Sequence, residues 1–437
     1  MKDILFINTP PVVLKRLFAE SIMYANPPIG LGYLAAVLRQ NGYSVDIYDM
    51  GPEKLTVDDI ISSIKKENYQ IIGIASIIAN HGNSMRVAKK VREVFPEIKI
   101  VIGGPQATFI ADEILNKGFV DVVVRFEGEE TILELVSAIK NGKSLENVKG
   151  ISYKKNGKII TAPQRPYIED LDSLPFPAWD LFQLDAYVQP GLIITGRGCP
   201  YKCIFCSASS LSGARYRVRS GKNVVDEIEY LYNKYNINHF FFADDTFTSL
   251  KSHCFDVCDE IINRNLDIYW EAEVRANTVN NEIADKLAKA GCNHVQIGAE
   301  SGDDQILSKI GKNITTQTIE DAVKLMLRKG ISVVCSFILG HPHDTQTTVK
   351  KTLNFAKKIH RINPRLISCK FALLTPLPGT PIYNRREEFG VKLLENDWDL
   401  YTFFDPVIET ENLSKEDLQS MYTQAWMEYV AVGEESL

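Results

Sequence analysis

Apolar residues in this chain come in short continuous runs. Longer stretches separate them, in which apolar residues recur every three or four positions. Over residues 1–150 the runs fall at Ile4–Asn8, Ser44–Tyr48, Ile71–Ser76, Ile98–Ile102 and Val120–Val124, with amphipathic stretches between them such as Gly32–Arg39, Ser84–Phe95 and Glu129–Ile139. Unbroken apolar runs predict strands buried on both faces, and the amphipathic segments predict the helices that cover them. Five such units make a doubly wound parallel sheet, whose ligand lies across the carboxyl ends of the strands. The alternation resumes at Leu192–Thr195, His239–Ala243, Ile268–Val274, His294–Ala299, Val333–Leu339 and Ile367–Leu374, with helices at Asn223–Tyr235, Ser252–Asn263, Asn281–Ala290, Thr316–Arg328 and Thr345–His360. Six units predict a partial barrel, open on one side, with its chemistry at the strand carboxyl ends.

Between the two halves, Ile151–Lys155 and Lys158–Thr161 read as a hairpin turning at Asn156-Gly157, a pair whose backbone suits the turn. Pro175 and Pro177 then forbid a regular helix. The expected organisation is a first domain at 1–150, a hairpin and linker at 151–187, a barrel at 188–400 and a helical extension at 401–437. That extension carries a capping-box-like Ser414-Lys415-Glu416-Asp417.

Composition narrows the picture. The 437 residues suit two or three domains, and 45% hydrophobic with 24% charged residues is ordinary for a globular protein. A formal charge of −6, with no basic stripe, disfavours a nucleic-acid partner. No apolar run is long enough to cross a bilayer, and the N-terminus enters a strand with no signal peptide ahead of it. The expectation is a cytoplasmic protein with reduced thiols, whose eight cysteines serve as ligands, nucleophiles or small core residues.

Three of those cysteines fall in one stretch, Thr195-Gly196-Arg197-Gly198-Cys199-Pro200-Tyr201-Lys202-Cys203-Ile204-Phe205-Cys206. Thiolates so spaced suit an iron–sulfur cluster or zinc, and an inert loop is the plain alternative. A closed zinc site wants four ligands, and the nearest further donors in sequence are His239 and His253. Three thiolates on a four-iron cluster leave one iron open, as a catalytic site needs. The remaining cysteines, 254, 258, 292, 335 and 369, read as core residues, and His341 and His343 as loop residues. Gly103-Gly104, after the fourth strand, reads on its own as a tight turn.

The Cys-x-x-x-Cys-x-x-Cys spacing with Phe205 before the last cysteine, at the start of a strand–helix repeat, resembles the radical S-adenosylmethionine superfamily. Pro27-Pro28-Ile29-Gly30-Leu31-Gly32-Tyr33-Leu34, Gly103-Gly104-Pro105 and Glu127-Gly128-Glu129-Glu130-Thr131 resemble its cobalamin-binding branch, and the likeness covers nearly the whole chain. The resemblance implies an α/β chain with a Rossmann-like cobalamin-binding domain followed by a partial (β/α)6 barrel. It implies a [4Fe-4S] cluster on Cys199, Cys203 and Cys206, and S-adenosylmethionine at Phe205, Asp244, Asp245, Arg275, Glu300, Ile338 and Thr375. Cobalamin is implied at Ser76, Gly103, Gly104, Pro105, Thr108, Glu127 and Gly128. Two departures stand out. No Asp-x-His-x-x-Gly motif follows the first strand, where Thr9 to Ile29 contains no histidine, so cobalt would have no protein histidine. Phe126 also stands where the family often has glycine.

The implied activity is methylation of an unactivated carbon through a 5′-deoxyadenosyl radical and methylcobalamin. The alternatives are radical rearrangement, cyclisation or dehydration and, in another class, a zinc-held binding module. The substrate could be a small molecule, a lipid or a peptide, and the electron donor a flavodoxin or ferredoxin.

Overall fold

Parallel pairing organises both halves of the chain. A computed structural model describes residues 2–12 and 26–434, so most of the loop read at Thr9–Ile29 lies outside the described residues. The chain forms two compact units, residues 1–190 and 191–437.

In the first unit, β1 (Ile4–Asn8), β2 (Val45–Asp49), β3 (Ile71–Ala75), β4 (Lys99–Gly103) and β5 (Val122–Val124) are parallel, in the spatial order 2-1-3-4-5. The order reverses between β1 and β3, which places the ligand crevice of this topology at their carboxyl ends. Helices α1 (Ile29–Gln40), α2 (Val57–Glu67), α3 (His81–Val94), α4 (Pro105–Phe109), α5 (Ala111–Asn116) and α6 (Glu129–Lys140) connect the strands. Ile4, Leu5, Phe6 and Ile7 are at most 2% exposed. Each buried side chain of this size contributes roughly 1.5–3 kcal/mol. The hairpin expected between the domains, β6 (Ile151–Lys155) and β7 (Lys158–Thr161), instead extends this sheet, with β6 antiparallel to β5. Its turn has Asn156 at φ 51° and Gly157 at φ 75°, as a type I′ turn requires.

A buried carboxyl at the end of β2 gives this unit a pH signature. Asp49 is 3% exposed, and it accepts from Tyr187 Oη at 2.9 Å and Asn8 Nδ2 at 3.0 Å. Burial raises its pKa to about 6. The folded chain therefore holds this proton more tightly than the unfolded chain. The stabilisation is complete below about pH 4 and disappears as pH rises through 6. Asp49→Asn should remove up to ~2–3 kcal/mol of that pH dependence, read as unfolding midpoints at pH 5 and pH 8.

In the second unit, β8 (Gly191–Ile193), β11 (His239–Phe242), β12 (Tyr269–Val274), β13 (Cys292–Glu300), β14 (Ser332–Leu339) and β15 (Ile367–Leu373) pair in sequence order, all parallel. The first and last strands are the two edges, which is an open barrel. Between β8 and β11 lie a two-residue ribbon, β9 (Gly196–Arg197) with β10 (Arg217–Val218), and helices α7 (Ala208–Ser212) and α8 (Gly221–Tyr235). The later crossovers carry α9 (Lys251–Asn263), α10 (Asn281–Lys289), α11 (Asp304–Lys309), α12 (Thr316–Arg328) and α13 (Gln346–His360). After β15 come α14 (Pro381–Asn384), the ribbon β16 (Val391–Leu393) with β17 (Ile408–Thr410), and α15 (Lys415–Glu434). Ser414 and Asp417 cap α15 reciprocally at 3.1 Å each, and Phe371 of β15 meets Trp426 edge-on at 6.1 Å. Phe240 and Phe242 are fully buried, Phe242 stacking on Trp270 at 4.5 Å. All five cysteines outside the 199–206 stretch are buried.

Candidate cofactor sites at the strand ends

The three clustered cysteines lie on the loop that the β9–β10 ribbon closes. Cys199 N–H donates to Gly213 O at 3.1 Å and Ile204 N–H to Ile310 O at 3.0 Å; Ile204 O accepts from Ile382 N–H at 3.0 Å. Backbone from three separate segments thus holds the loop before any metal arrives. The sulfurs also have donors. Ala208 N–H lies 3.4 Å from Cys206 Sγ, and Arg275 Nη1 lies 3.7 Å from Cys203 Sγ. Burial pushes the Cys199 thiol up and the Cys206 thiol to about 12, so metal must displace protons to bind. Among the described residues no three His, Cys, Asp or Glu side chains converge on a single ion. His253 is not a fourth donor. It is buried with Nε2 2.8 Å from Thr195 Oγ1, at the base of the cysteine loop rather than beside the sulfurs. The donor set is three soft thiolates on one loop, which fits a multi-iron cluster with an open corner.

Asp244 and Asp245 follow β11 and do different work. Asp244 is 2% exposed. It accepts from Thr195 N–H at 2.7 Å, Gly196 N–H at 3.1 Å and Tyr216 Oη at 2.5 Å, and also from the Thr195 hydroxyl. Its carboxylate therefore anchors the start of the cysteine loop. Asp245 stays accessible but hemmed in by protein, and burial together with Asp244 raises its pKa to about 6. It is the member of the pair free to meet a cationic ligand.

Arg275, after β12, stacks over Tyr201 at 4.0 Å and donates to Lys312 O, so it braces the loop. Glu300, the last residue of β13, sits at φ 63° where the pairing with β14 slips. It forms an ion pair with Lys312 at 2.9 Å, both side chains 9% exposed. A Cβ at Gly298 would lie 2.3 Å from Glu300 Oε1, so glycine is what lets the carboxylate fold back there. Ile338 is half-buried near the end of β14, and Thr375 is buried just after β15, its hydroxyl donating to Leu373 O at 3.2 Å. The Phe205 ring lies 5.5 Å from that of His341. His341 is fully buried, neither ring nitrogen has a hydrogen-bond partner among the described residues, and burial lowers its pKa to about 3, which keeps it neutral. Thr195, Tyr201, Tyr216 and Lys312 carried no expectation from sequence. Tyr201 alone had a signal, an aromatic residue inside the cysteine spacing.

The positions that the sequence resemblance implies for cobalamin gather at the ends of β3, β4 and β5 within the first unit. Ser76 N–H donates to Gly103 O at 2.8 Å, and Ser76 Oγ lies 2.9 Å from His81 Nδ1. Gly104 has φ 109°, and a Cβ there would stand 2.7 Å from Ser76 O. Gly103, Gly104 and Pro105 keep backbone accessible, beside an Ile77 that is 44% exposed. This side-chain-free, partly apolar ledge fits a bulky ligand lying against backbone. Thr108 Oγ1 accepts from Phe126 N–H at 3.0 Å, and Glu127 accepts from Ile168 N–H at 2.7 Å. These two side chains shape the ledge's wall, while Gly128 packs close to Leu34. Phe126 takes φ 63°, a conformation glycine adopts freely, and packs edge-on between Phe109 at 6.2 Å and Tyr167 at 6.3 Å. Those ring contacts offset the strain. Gly104→Ala should destabilise this unit by about 2 kcal/mol or more and reduce corrinoid retention, read by thermal unfolding and by visible absorption after gel filtration.

The Radical SAM superfamily profile matches residues 193–356, and the B12 binding domain profile matches residues 15–136. The chain is 36% identical to an uncharacterized methyltransferase of Pyrococcus horikoshii, across 98% of this chain and 92% of that protein. It is 29% identical to the anaerobic magnesium-protoporphyrin IX monomethyl ester cyclase of Rubrivivax gelatinosus, across 90% of this chain and 71% of that one. Its fold matches a radical S-adenosylmethionine methyltransferase, TsrM of Kitasatospora setae, solved with cobalamin and a [4Fe-4S] cluster bound. The TM-score is 0.76 at 20% identity, covering 91% of this chain and 81% of that one. With both profiles in one chain and a relative aligned over nearly its full length, the protein belongs to the cobalamin-binding radical S-adenosylmethionine enzymes, which work with a [4Fe-4S] cluster, S-adenosylmethionine and cobalamin.

Proposed function

We propose that this chain is a methyltransferase that acts on an unactivated carbon. The observation that carries the reading is the full-length similarity to a protein named as a methyltransferase, in a chain that has both cofactor units. When bound, the cofactors supply an electron, a hydrogen-abstracting fragment of S-adenosylmethionine and a methyl carrier. The protein's part is to bind, orient and exclude water. Cys199, Cys203 and Cys206 hold the cluster, and Asp244 and Arg275 fix the loop that bears them. Asp245 receives the methionyl ammonium, and the Glu300–Lys312 pair offers a fixed acceptor to the ribose hydroxyls. Ile338, Thr375 and Phe205 border the adenine. In the first unit, Ser76, Gly103, Gly104, Pro105, Thr108, Glu127 and Gly128 border the corrinoid tail. A low-potential reductant is required, and a cytoplasmic flavodoxin or ferredoxin meets that need. No helix among the described residues is long and apolar enough to cross a membrane.

Cyclisation without methyl transfer is the second reading, favoured by the similarity to the cyclase. One experiment separates the two. Protein purified without oxygen is loaded with iron, sulfide and hydroxocobalamin, then given reductant and S-adenosylmethionine labelled in its methyl group. Methyl transfer predicts label in the corrinoid fraction, and S-adenosylhomocysteine together with deoxyadenosine. Deoxyadenosine alone supports cyclisation, and no cleavage at all defeats both readings.

A further inference from the structure

In β12, β13 and β15 the second unit's sheet sets apolar residues on one face and polar residues on the other. Along β12, Trp270, Ala272 and Val274 are buried, whereas Tyr269, Glu271 and Glu273 stay accessible. In β13, Val295 and Ile297 are buried while His294 and Gln296 are not. In β15, Cys369 and Phe371 are buried while Ser368 and Lys370 are exposed. The buried set meets the outer helices. Trp270 Nε1 donates to Ala290 O at 2.7 Å, and Cys369 Sγ lies 3.6 Å from Ala356 O. Successive strand residues point to opposite faces, so the accessible set lines the barrel lumen. A barrel interior that serves only as core is packed with branched apolar residues. This one carries Glu271, Glu273, His294, Gln296 and Lys370 on the same face as the apolar Phe241, Val334 and Ile338.

The polar groups are arranged in register. Glu271 pairs with His294 and Glu273 with Gln296 across β12 and β13, and Lys370 pairs with Ser336 across β14 and β15. Gln296 Nε2 donates to Glu273 Oε1 at 3.2 Å, and His294 Nε2 lies 3.9 Å from Glu271 Oε2. Among the described residues the Glu273 carboxylate makes no ion pair, and the Lys370 ammonium makes neither an ion pair nor a hydrogen bond. Burial, Asp245 and Glu300 together raise the Glu273 carboxyl to about 7, and Lys370 acts on it in the opposite sense. Glu273 also stands two residues before Arg275, on the cluster side of the lumen.

We propose that the lumen binds a polar, anion-bearing substrate, with Lys370 taking its carboxylate or phosphate and the Glu273–Gln296 pair taking a hydroxyl or amine of the same molecule. This deepens the methyltransferase reading and rests on it, because it names that enzyme's substrate class. A hydrocarbon in the same space would strip water from two glutamates and an ammonium and return no hydrogen bonds. An anion pairs with the Lys370 ammonium, and a donor group completes the Glu273 carboxyl.

O-Phosphoethanolamine is a small probe carrying both groups. Equilibrium dialysis against the reconstituted holoenzyme should show it binding about tenfold tighter than ethanolamine, inorganic phosphate or decanol. Lys370→Met should erase its advantage over ethanolamine, and Glu273→Leu its advantage over phosphate. Glu273→Gln, which keeps the shape, should weaken the amine-bearing probe without unfolding the chain. Decanol binding as well as the zwitterion overturns the proposal, as does no binding of the zwitterion or binding unchanged in all three variants. So does an equal loss of S-adenosylmethionine affinity, which would assign these groups to the cofactor. Failure of the wild-type holoenzyme to cleave S-adenosylmethionine would count against the methyltransferase reading, not against these dialysis results.

Discussion

Cys203→Ala, prepared without oxygen and supplied with iron and sulfide, should retain less than one iron per chain where the wild type retains about four. The broad visible absorption of the cluster should disappear, and S-adenosylmethionine cleavage should fall to background. The argument is one of donor count. Three thiolates lie on one loop, and the other five cysteines are buried elsewhere in the fold, so no thiol stands ready to replace a lost one. Structural damage predicts a different result. Cys203 is only half-buried, and its sulfur makes two long contacts, with Gly311 O at 3.9 Å and Arg275 Nη1 at 3.7 Å. Its removal should cost less than about 1 kcal/mol of stability in the metal-free chain. Cys335→Ala is the informative control. That thiol is fully buried in β14, so its loss should lower the unfolding temperature while leaving iron content intact. Iron content equal in the two variants would overturn the assignment of Cys203 as a ligand.

The barrel was legible because its strands announce themselves. His239–Phe242 is a short apolar run and Ile367–Leu373 alternates buried and accessible positions, and the structure places both strands within a residue of where the pattern does. Helix α2 was not read from the sequence. Its signal was present all the same: Val57, Ile60, Ile61 and Ile64 recur at i, i+3, i+4 and i+7, and Thr56 with Asp59 forms a capping box. The hairpin at 151–161 was legible as a hairpin from Asn156-Gly157, but not its docking on β5, because edge pairing is a long-range choice that no local signal encodes. The cysteine loop could be read from spacing alone. Its supports could not, because Tyr216, Lys312 and His253 reach it from ribbon, loop and helix far apart in sequence. The adjacent carboxylates after β11 show the same limit. Asp244 and Asp245 look equivalent in the sequence, and only the turn of the backbone sends one into the loop's amides and leaves the other accessible.

That division yields the second large effect. Asp244→Ala should destabilise the chain by roughly 3–5 kcal/mol, because it strands the Thr195 and Gly196 amides and the Tyr216 hydroxyl inside the protein without an acceptor. For a unit of this size the unfolding temperature should fall by about 10 °C or more. The loss should reach the metal as well, because the anchored residues lead directly into Cys199. Iron should dissociate faster from the variant even below its unfolding temperature, when challenged with a chelator. Asp245→Ala should behave in the opposite way. Burial and its neighbour raise the Asp245 pKa to about 6, so near pH 7 its charge opposes folding rather than supporting it. Removing it should leave stability unchanged or slightly higher, with iron retained and S-adenosylmethionine bound about tenfold more weakly. Circular dichroism melts, chelator kinetics and equilibrium dialysis on the two variants test the pair together. A stable Asp244→Ala chain that keeps its iron would mean the loop is held by the β9–β10 ribbon and by Gly213, Ile310 and Ile382 alone, with the carboxylate incidental.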